Sequence, residues 1–441
     1  MGIGVILPII ITVGGVYFLI RLRAFFLLHP IKTLKLTLSS FSDNPKSSIK
    51  SLSLALAGTL GVGNITGVAI GIILGGAGSV FWLLVSSVFA ASLKYAESVL
   101  AIDNMDSTAA SRGGMMYLIK TTFGKASTAL SYLYAASCLL LALFMGGALQ
   151  SNTVKMTLDF ASSIPPVAVV AFTVILTALL VKGGGEKIEK ITVILIPLAT
   201  VVYILMSFCI IFSHQDRILE VIRLIIGSAF SPLSLGGGIV GFISSRCVFE
   251  GYARGILSNE AGAGTSTLAH ARNKGTTPCR EGALGMCEVL FDTVILCMLT
   301  AFSILLSVDA PCEYSSAMAL LCDAFSSVLG GAFCAPLIIS ILIFAFSTII
   351  CWYYYGEECA QFLIGGRGRV QFYIAYILFV ALGMILDVLF IVRITDLLLL
   401  LLSVLTVATL IKNSDRVRTL SELEKVISKR EFSKAPSRRM R

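Results

Sequence analysis

The chain has 441 residues, of which 56% are hydrophobic and only 13% are charged, and its formal net charge is +9. Because a soluble globular protein carries about 25% charged residues, this composition excludes a water-soluble enzyme, a disordered chain and a nucleic-acid-binding domain. The apolar residues come in runs of about 18 to 25, each long enough to cross about 30 Å of hydrocarbon as a helix. The sequence therefore predicts an all-α membrane protein.

Eleven hydrophobic segments follow one another along the chain, so about eleven transmembrane helices are predicted. They lie at residues 4–27, 52–78, 79–102, 128–152, 165–182, 190–213, 235–270, 281–307, 329–355, 371–390 and 394–411. In the first segment the basic residues Arg21 and Arg23 follow the apolar run and none precedes it, which favours a retained helix over a cleaved signal peptide. Cys312 and Cys322 share the loop after the eighth segment and could pair if that loop faces an oxidising compartment.

The basic residues are unevenly distributed between the two alternating sets of loops. If the amino terminus lies outside, the inward-facing segments hold 27 of the 34 Lys and Arg residues, ten of them in the tail 412–441. Cytoplasmic loops of membrane proteins are enriched in Lys and Arg. The charges therefore predict a multi-pass protein of the plasma membrane (the inner membrane of a bacterium), with its amino terminus outside and its carboxyl terminus cytoplasmic. The basic tail is also a candidate contact for anionic membrane lipid.

Segments two and seven contain clusters of glycine and polar residues inside apolar runs. Residues 56–67 read LAGTLGVGNITG, and residues 255–265 read GILSNEAGAGT. Glycine costs roughly 1 kcal/mol in a helix interior, so we expect helices broken at 58–67 and 255–265. Interrupted segments at corresponding positions of two halves point to a transporter site built on inverted repeats. The alternative is that these glycines only allow close helix packing.

The position of the two breaks predicts the domain organisation. Residues 1–50 form an extra amino-terminal transmembrane helix with a basic cytoplasmic loop, and residues 51–213 form a first repeat of five helices. Residues 235–411 form a second repeat of five, followed by the tail 412–441. Because each repeat has an odd number of spans, the second is inserted upside down relative to the first.

Unwound backbone inside a membrane is tolerated only around a cavity or a bound solute. The stretch 61–63 is suited to presenting free N–H groups to a carboxylate, because its two glycines have no Cβ to block approach. Asn64 adds a side-chain oxygen and an amide donor, and Ser258 and Asn259 repeat that polarity in segment seven. The two breaks are therefore candidates for one binding site.

Adjacent hydroxyls occur in segment nine, where Ser347 and Thr348 follow Phe344 by about one helical turn. Hydroxyl and carbonyl oxygens are hard ligands and suit a hard cation such as sodium. The alternative is that the two hydroxyls only hydrogen-bond the preceding turn of their own helix.

Several ionisable residues lie in or near the apolar segments, and each costs about 2.5–3.5 kcal/mol at mid-membrane unless it is paired or lines a polar path. They are Lys94, Glu97, Glu250, Arg254, Glu260, Glu288 and Asp292. Lys94 and Glu97 are three apart on one helix face, which favours an internal pair. Glu288 and Asp292 have the same sign and need nearby cations, for which Arg246 and Arg254 are the candidates.

The run GVGNITG at residues 61–67 resembles the GTGNIAG signature of the alanine/glycine:cation symporters. Further blocks resemble that family in the same order between about residues 50 and 360. They are KYAE at 94–97, GGMMY at 113–117, QSN at 150–152, RGILSNEAG at 254–262, AHA at 269–271, FST at 346–348, Trp352 and YYGE at 354–357.

The resemblance implies a LeuT-type fold of two inverted five-helix repeats plus an extra first helix, and sodium-coupled uptake of alanine, glycine or a similar small neutral amino acid. It implies a sodium site made by the carbonyls of Ala57 and Leu60 together with Phe344, Ser347 and Thr348. It also implies that the substrate carboxylate binds the N–H groups of Val62 and Gly63, while Gln150, Asn259 and Trp352 line the pocket. Asn64 and Ser258 complete the candidate substrate-binding set.

The chain departs from the family pattern at Phe249 and Glu250, which stand where a basic-aromatic pair is usual, and at Cys351, which replaces a glycine beside Trp352. The first departure leaves open whether sodium, a proton or both drive transport. A channel or a non-transporting sensor on the same scaffold is the alternative from another class. The three histidines form no metal motif and no nucleophile–base set occurs, so no enzyme activity and no cofactor besides the coupling ion is predicted.

Overall fold

The computed structural model describes residues 2–104, 113–161, 164–230, 246–331 and 334–422. Within these ranges all regular secondary structure is helical, and no β-strand occurs. The predicted all-α class is therefore confirmed for the described part of the chain.

The helices of the first part are α1 to α12, and short stretches of 3-10 or π-helical geometry lie between several of them. The α-helices are α1 (Gly2–Arg21), α2 (Phe25–Leu28), α3 (Pro30–Asp43), α4 (Pro45–Thr59), α5 (Thr66–Gly75), α6 (Gly78–Asp103), α7 (Met115–Thr122), α8 (Ser127–Leu141), α9 (Gln150–Ala161), α10 (Pro166–Val181), α11 (Gly185–Ser213) and α12 (Ile218–Ala229). A 3-10 helix (Val62–Asn64) lies between α4 and α5, and a π-helix (Ala142–Leu149) joins α8 to α9.

The second part contains α13 to α20. These helices are α13 (Arg246–Asn259), α14 (Thr267–His270), α15 (Pro278–Val289), α16 (Met298–Ser307), α17 (Ala317–Leu329), α18 (Cys334–Ile364), α19 (Gly368–Gly383) and α20 (Val388–Lys412). A second π-helix (Leu290–Cys297) joins α15 to α16.

Six helical stretches of the described chain are long and apolar enough to cross a membrane: Gly78–Asp103, Gly124–Ala161, Gly185–Ser213, Pro278–Ser307, Cys334–Gly383 and Val388–Lys412. Four shorter apolar helices accompany them: Ile6–Arg21, Thr66–Gly75, Pro166–Val181 and Ala317–Val328. Large apolar side chains on the outer helices are exposed, among them Val167 and Ile194. Outward apolar faces of this kind suit a surrounding of lipid.

The helix of segment two is interrupted. Helix α4 ends at Thr59, and the Gly61 N–H donates to the Thr59 carbonyl at 2.8 Å instead of continuing the helical pattern to Ala57. The 3-10 turn Val62–Asn64 follows before α5 begins at Thr66. The chain therefore changes geometry in the middle of its apolar run.

The interruption of segment seven begins later than 255, where the sequence analysis placed its start. Helix α13 continues through Asn259, and residues 260–266 are non-helical before α14 begins. Gly262 and Gly264 adopt φ values of +82° and +75°, which L side chains rarely adopt. These two glycines permit the break.

Gly255 serves helix packing instead. A Cβ built on Gly255 would lie 2.0 Å from Ser86 Oγ of α6, and one on Gly251 would lie 2.3 Å from the Ser79 carbonyl oxygen. Helix α13 thus approaches α6 closely through two small residues four apart. For Gly255 the packing alternative is the correct one.

The chain segments that carry most of the basic residues meet at one end of the bundle, which we call the basic end. Arg21 pairs with Asp415, and Arg416 pairs with Asp103. Asn44 Nδ2 donates to the Lys274 carbonyl at 3.0 Å. These contacts join segments that the charge count assigns to a single side of the membrane.

Helix α17 lies partly where the sequence analysis expected a loop, and it contains Cys322. The thiols of Cys312 and Cys322 are both free, and the Cys322 sulfur contacts Cys334 at 2.7 Å. The pairing considered for Cys312 and Cys322 is therefore not formed in this structure.

Candidate functional site

The two interrupted segments meet in the interior of the bundle. A Cβ on Gly63 would lie 3.8 Å from the Ser258 Cα, so the broken turn of segment two touches the end of α13. Ser258 Oγ donates to Asp292 Oδ2 at 2.5 Å, and Asn64 Nδ2 donates to Asp292 Oδ1. The buried carboxylate of Asp292 therefore connects the two breaks.

Asp292 lies in the π-helix Leu290–Cys297, and π-helical turns occur frequently at functional sites. From the sequence alone, Asp292 is expected only to be a buried charge that needs a cation, with Arg246 or Arg254 as candidates. Its observed partners are Asn64, Ser258 and the hydroxyl of Thr293 at 2.9 Å. The assignment to an arginine was wrong, because the Asp292 carboxylate accepts hydrogen bonds from polar side chains of the two breaks instead.

The other buried charges are also paired differently from the prediction. Lys94 Nζ contacts Glu288 Oε1 at 3.0 Å instead of forming its ion pair with Glu97. Arg254 forms a 2.9 Å ion pair with Glu250 on its own helix and is not the counter-ion of Glu288. Helix α15 brings Glu288 beside α6, a contact between distant segments that sequence spacing does not reveal.

A narrow void lies beside the break of segment two. It is lined by Leu60, Gly61, Asn64, Ile65, Tyr203, Leu296 and Phe344, and it is too narrow to admit a water molecule. Two residues of the predicted sodium set, Leu60 and Phe344, thus border the same enclosed space. Tyr203 was not among the candidates, and its hydroxyl shares a 2.6 Å hydrogen bond with Thr300, which in turn donates to the Asn64 carbonyl.

Ser347 and Thr348 are buried in α18, and their hydroxyl oxygens have no hydrogen-bond partner among the described residues. A Cβ on Gly61 would lie 2.9 Å from Thr348 Oγ1, so this hydroxyl is directed at the break. Earlier on the same helix, Ser340 bonds the Pro336 carbonyl at 2.9 Å in the usual way. The alternative in which Ser347 and Thr348 only bond their own preceding turn does not hold here.

Ala57 is buried in the last turn of α4, three residues before Leu60. Because the Gly61 N–H donates to Thr59, it is not used on the Ala57 carbonyl. Val62 and Gly63 are the first two residues of the 3-10 turn, and the first N–H groups of a helix have no acceptor within it. The break therefore offers both backbone carbonyls and backbone N–H groups.

Gln150 begins α9, directly after the first π-helix, and its Nε2 lies 3.6 Å from a Cβ on Gly61. Its Oε1 has no partner in the described part of the chain. Trp352 is fully buried beside Gly146, where a Cβ would lie 2.1 Å from the Trp352 Cβ, and its indole Nε1 is likewise unpartnered. Each of these two side chains therefore has a buried polar atom without a hydrogen-bond partner among the described residues.

Asn259 differs from Gln150 because its amide already has local partners. Its Oδ1 accepts from the Ala261 N–H at 3.0 Å, and its Nδ2 donates to Thr293 Oγ1 at 3.5 Å. Asn259 thus closes the end of α13, and the structure places it against the π-helix of Asp292.

Five buried polar atoms on the break of segment two and on the helices packed beside it have no hydrogen-bond partner among the described residues. They are Asn64 Oδ1, Gln150 Oε1, Ser347 Oγ, Thr348 Oγ1 and Trp352 Nε1. A buried polar atom without a partner costs about 1–3 kcal/mol, so a group of them in one region marks a place where a polar solute or ion is expected. In the described ranges no three His, Cys, Asp or Glu side chains are grouped as ligands of a metal ion.

The two departures from the family pattern lie in different places. Glu250 is neutralised by Arg254, and its Cβ lies 3.1 Å from a Cβ on Gly75, near the end of α5. Cys351 is buried beside the break, and its thiol donates to the Leu54 carbonyl at 3.1 Å. Of the two, Cys351 is the one adjacent to the candidate site.

A second cavity, of about 500 Å³, opens between the α10–α11 turn and helices α18 and α19. It is lined by Val181, Lys182, Gly183, Gly184, Tyr353, Glu357, Arg369, Val370 and Tyr373. Arg369 pairs with Glu357 at 2.7 Å across it, and Tyr353 is the sequence neighbour of Trp352. The cavity lies toward the basic end.

Comparison with known proteins gives one family. The sequence profile of the sodium:alanine symporter family matches residues 1–433. The chain is 31% identical to a Methanococcus maripaludis protein named sodium/alanine symporter AgcS, over 82% of this chain and 82% of that protein. It is also 31% identical to a Bacillus subtilis protein named probable sodium/glutamine symporter GlnT, over 81% of this chain and 74% of that protein.

A solved structure is also similar. The crystal structure of a manganese transporter from Eremococcus coleocola superposes with a TM-score of 0.53, covering 86% of this chain and 78% of that chain. The two sequences are 16% identical. At that identity the likeness concerns the fold alone.

Proposed function

Because the chain belongs to the sodium:alanine symporter family, we propose that it imports alanine, glycine or a similar small neutral amino acid, driven by a sodium gradient. The protein is a multi-pass membrane protein of a transporter family, and its substrates are an amino acid and an ion. The observation that supports this function best is the group of five unpartnered polar atoms on the break of segment two and on the helices packed beside it. No chemical bond changes in such a cycle.

The proposed sodium site consists of the carbonyls of Ala57 and Leu60 together with Phe344, Ser347 and Thr348. Unwound backbone carbonyls of a broken helix coordinate sodium in transporters of this architecture. Support comes from the narrow void shared by Leu60 and Phe344 and from the unpartnered hydroxyls of Ser347 and Thr348. A bound cation would satisfy those oxygens without any proton transfer.

The proposed amino-acid site lies on the other side of the same break. The N–H groups of Val62 and Gly63 would hold the substrate carboxylate, as free N–H groups of half-helices do. Around the substrate we place five side chains, namely Asn64, Gln150, Ser258, Asn259 and Trp352. Asp292 would position the first and third of these because it hydrogen-bonds both.

Trp352 would limit the size of the substrate. Its indole is fully buried and packs with its ring centroid 5.5 Å from that of Tyr355. A large rigid ring at the pocket leaves little room for a long side chain. This supports a small amino acid over the glutamine named for one relative.

We further propose eleven transmembrane helices in the LeuT-type arrangement, with repeats at 51–213 and 235–411, an extra first helix within 1–50 and a cytoplasmic tail at 412–441. The fold likeness to a solved transporter supports this architecture. The proposed orientation places the amino terminus outside and the basic end in the cytoplasm. Contacts that gather the basic segments at one end support that orientation.

Alternating access would connect the site to each side in turn. Sodium binding would favour the state open to the outside, and rocking of one helix bundle against the other would then expose the site inward. The cavity at Glu357 and Arg369 is the proposed inward vestibule. The membrane potential contributes about 2.3 kcal/mol per 100 mV for each net charge moved.

The experiment is uptake of labelled alanine and glycine into proteoliposomes that contain the purified full chain. Separate samples receive a sodium gradient, a proton gradient or no gradient, and unlabelled glutamine is added as a competitor. We expect accumulation with the sodium gradient and little competition by glutamine. Flux that ignores both gradients would instead indicate a channel or facilitator.

A further inference from the structure

A second group of charged side chains lies between α6, α15 and the turn after α13. We call it the buried cluster, and it consists of Lys94, Glu97, Glu260 and Glu288. Lys94 Nζ contacts Glu288 Oε1 at 3.0 Å. Glu97 Oε1 accepts the Gly262 N–H at 2.7 Å.

The buried cluster contains more carboxylates than cations. Glu97 Oε2 and Glu260 Oε1 have no hydrogen-bond partner in the described structure, and Lys94 is the only amine in the cluster. Several like charges without counter-charges are too costly to remain ionised together in the interior. The cluster must therefore hold protons shared among its carboxylates, or bind another cation.

His270 connects this cluster to a further carboxylate. Its Nε2 lies 3.1 Å from Glu288 Oε2, and its Nδ1 lies 2.7 Å from Glu281 Oε1. All three side chains are 1% exposed or less. An imidazole with a carboxylate on each ring nitrogen can accept a proton on one side and release a proton from the other.

Three buried carboxylates form a row along one face of α15 and the π-helix that continues it. Glu281, Glu288 and Asp292 are spaced by seven and four residues, which places them on one face. Eleven residues of helix span about 16 Å. The row therefore runs from the residue that joins the two breaks toward the beginning of α15.

At its outer end the row reaches the basic end of the bundle. Glu281 accepts from Ser51 Oγ at 3.0 Å and from Asn273 Nδ2 at 2.5 Å. Asn273 also donates to Ser48 Oγ at 3.2 Å. The neighbouring Lys274 N–H bonds Ser47 at the protein surface.

The charged groups around this outer end belong to three elements. Arg272 in the turn after α14 pairs with Glu189 of α11. Lys50 of α4 contacts the same carboxylate at 3.8 Å. At the inner end the groups are the buried cluster and Asp292. Of these charged groups, the His270 imidazole contacts only Glu281 and Glu288 in the described structure.

We propose that Glu288, His270 and Glu281 form a proton path between the buried cluster and the basic end, and that amino-acid import releases a proton through it. The inference rests on the proposed function, because it takes this chain to be a carrier. In one transfer a proton leaves Glu288 for the imidazole Nε2 while the Nδ1 proton passes to Glu281. Two protons move in this step, one from Glu288 Oε2 to Nε2 and one from Nδ1 to Glu281 Oε1, so the net transfer is one proton from Glu288 to Glu281. Rotation of the imidazole then restores the starting tautomer.

The competing explanation is purely structural, since the same bonds also fix the turn between α13 and α15. The two explanations differ in their pH dependence. A structural network lost by mutation lowers uptake at every pH and lowers thermal stability. A proton path lost by mutation changes the shape of the pH profile, because one titrating step changes occupancy about tenfold per pH unit.

The test uses the purified full chain in proteoliposomes with the pH dye pyranine trapped inside. Wild type, H270Q and E281Q are compared, because glutamine approximates both side chains in size but has no group that titrates in the measured pH range. The matched control is D309N, which removes the charge from the 2.8 Å pair with Arg217, a pair that takes no part in the proposed path. Labelled alanine uptake under a sodium gradient and luminal pH are recorded between about pH 6 and pH 8.5, with melting temperatures for each variant.

In wild type and D309N we expect alanine entry to acidify the lumen and uptake to vary about tenfold over this range. In H270Q and E281Q we expect the acidification to disappear and the profile to flatten. Alanine entry without acidification in wild type would overturn the proposal, as would variants that keep the wild-type profile or lose uptake equally at every pH. If sodium has no effect on wild-type uptake, the sodium-driven function fails, while the pyranine signal on alanine addition still decides the proton path.

Discussion

Replacement of Gly61 by alanine tests how closely α18 approaches the break of segment two. The added Cβ would lie 2.9 Å from Thr348 Oγ1 and 3.5 Å from Thr348 Cγ2, and Gln150 Nε2 would be 3.6 Å away. A contact below 3.0 Å cannot be kept, so the threonine hydroxyl must move. Overpacking of a buried site costs about 1–3 kcal/mol. If this free energy is lost from sodium binding, the affinity of the protein for sodium falls roughly five- to 150-fold.

The assay is the sodium dependence of labelled alanine uptake in proteoliposomes. We expect G61A to need a sodium concentration higher by that factor for half-maximal uptake. The alanine concentration for half-maximal uptake at saturating sodium should rise as well, because Gln150 lies beside the same position.

G67A is the matched control, because Gly67 lies in the same segment, within α5, and a Cβ there has no atom within 4 Å. Alanine is better than glycine in a helix interior by about 0.5–1 kcal/mol, so this variant should transport like wild type and be slightly more stable. The reasoning is refuted if G61A keeps the wild-type sodium dependence, or if G67A loses as much as G61A.

Three further predictions concern other positions. S347A should raise the sodium requirement about tenfold, whereas S340A, whose hydroxyl already bonds Pro336, should not; equal effects would argue against the proposed ion site. D292N should weaken alanine uptake roughly tenfold or more, because charge-assisted hydrogen bonds to both breaks are lost, and unchanged kinetics would remove its positioning role. G251A should lower the thermal stability by about 1–3 kcal/mol in detergent, since its Cβ would lie 2.3 Å from a backbone oxygen, while G227A, with open space around it, should melt like wild type.

The sequence predicted the helical class and the region of the first break because composition and glycine clustering are local properties. Hydrophobic runs indicate that a segment suits a membrane, and most of the long described helices lie in those runs, whereas α17 lies mainly in a predicted loop. The prediction of a break in segment two rested only on Asn64 and on the glycines around it. Composition and glycine clustering can be read from the sequence without knowing which helices pack together.

The second break was placed too early because glycine has two uses that sequence does not separate. Gly255 permits the approach of α13 to α6, whereas Gly262 and Gly264 adopt backbone angles that other residues rarely adopt. Only the position of α6 distinguishes these uses. The predicted start at 255 therefore included a packing position.

Charge partners were the least predictable feature. The candidates for Glu288 and Asp292 were arginines in the preceding segment, yet Glu288 is served by Lys94 and His270. These partners are 194 and 18 residues away along the chain. Pairing between distant helices depends on their arrangement, which residue spacing within one helix does not determine.

The central claim is that sodium and a small amino acid cross the membrane together. Reciprocal coupling requires that each solute drive the other. The most direct measurement is uptake of radioactive sodium into proteoliposomes with an inward alanine gradient, equal sodium on both sides and the membrane potential clamped at zero. We predict sodium entry that depends on alanine and is absent from protein-free liposomes. Alanine entry with no accompanying sodium entry would contradict the claim.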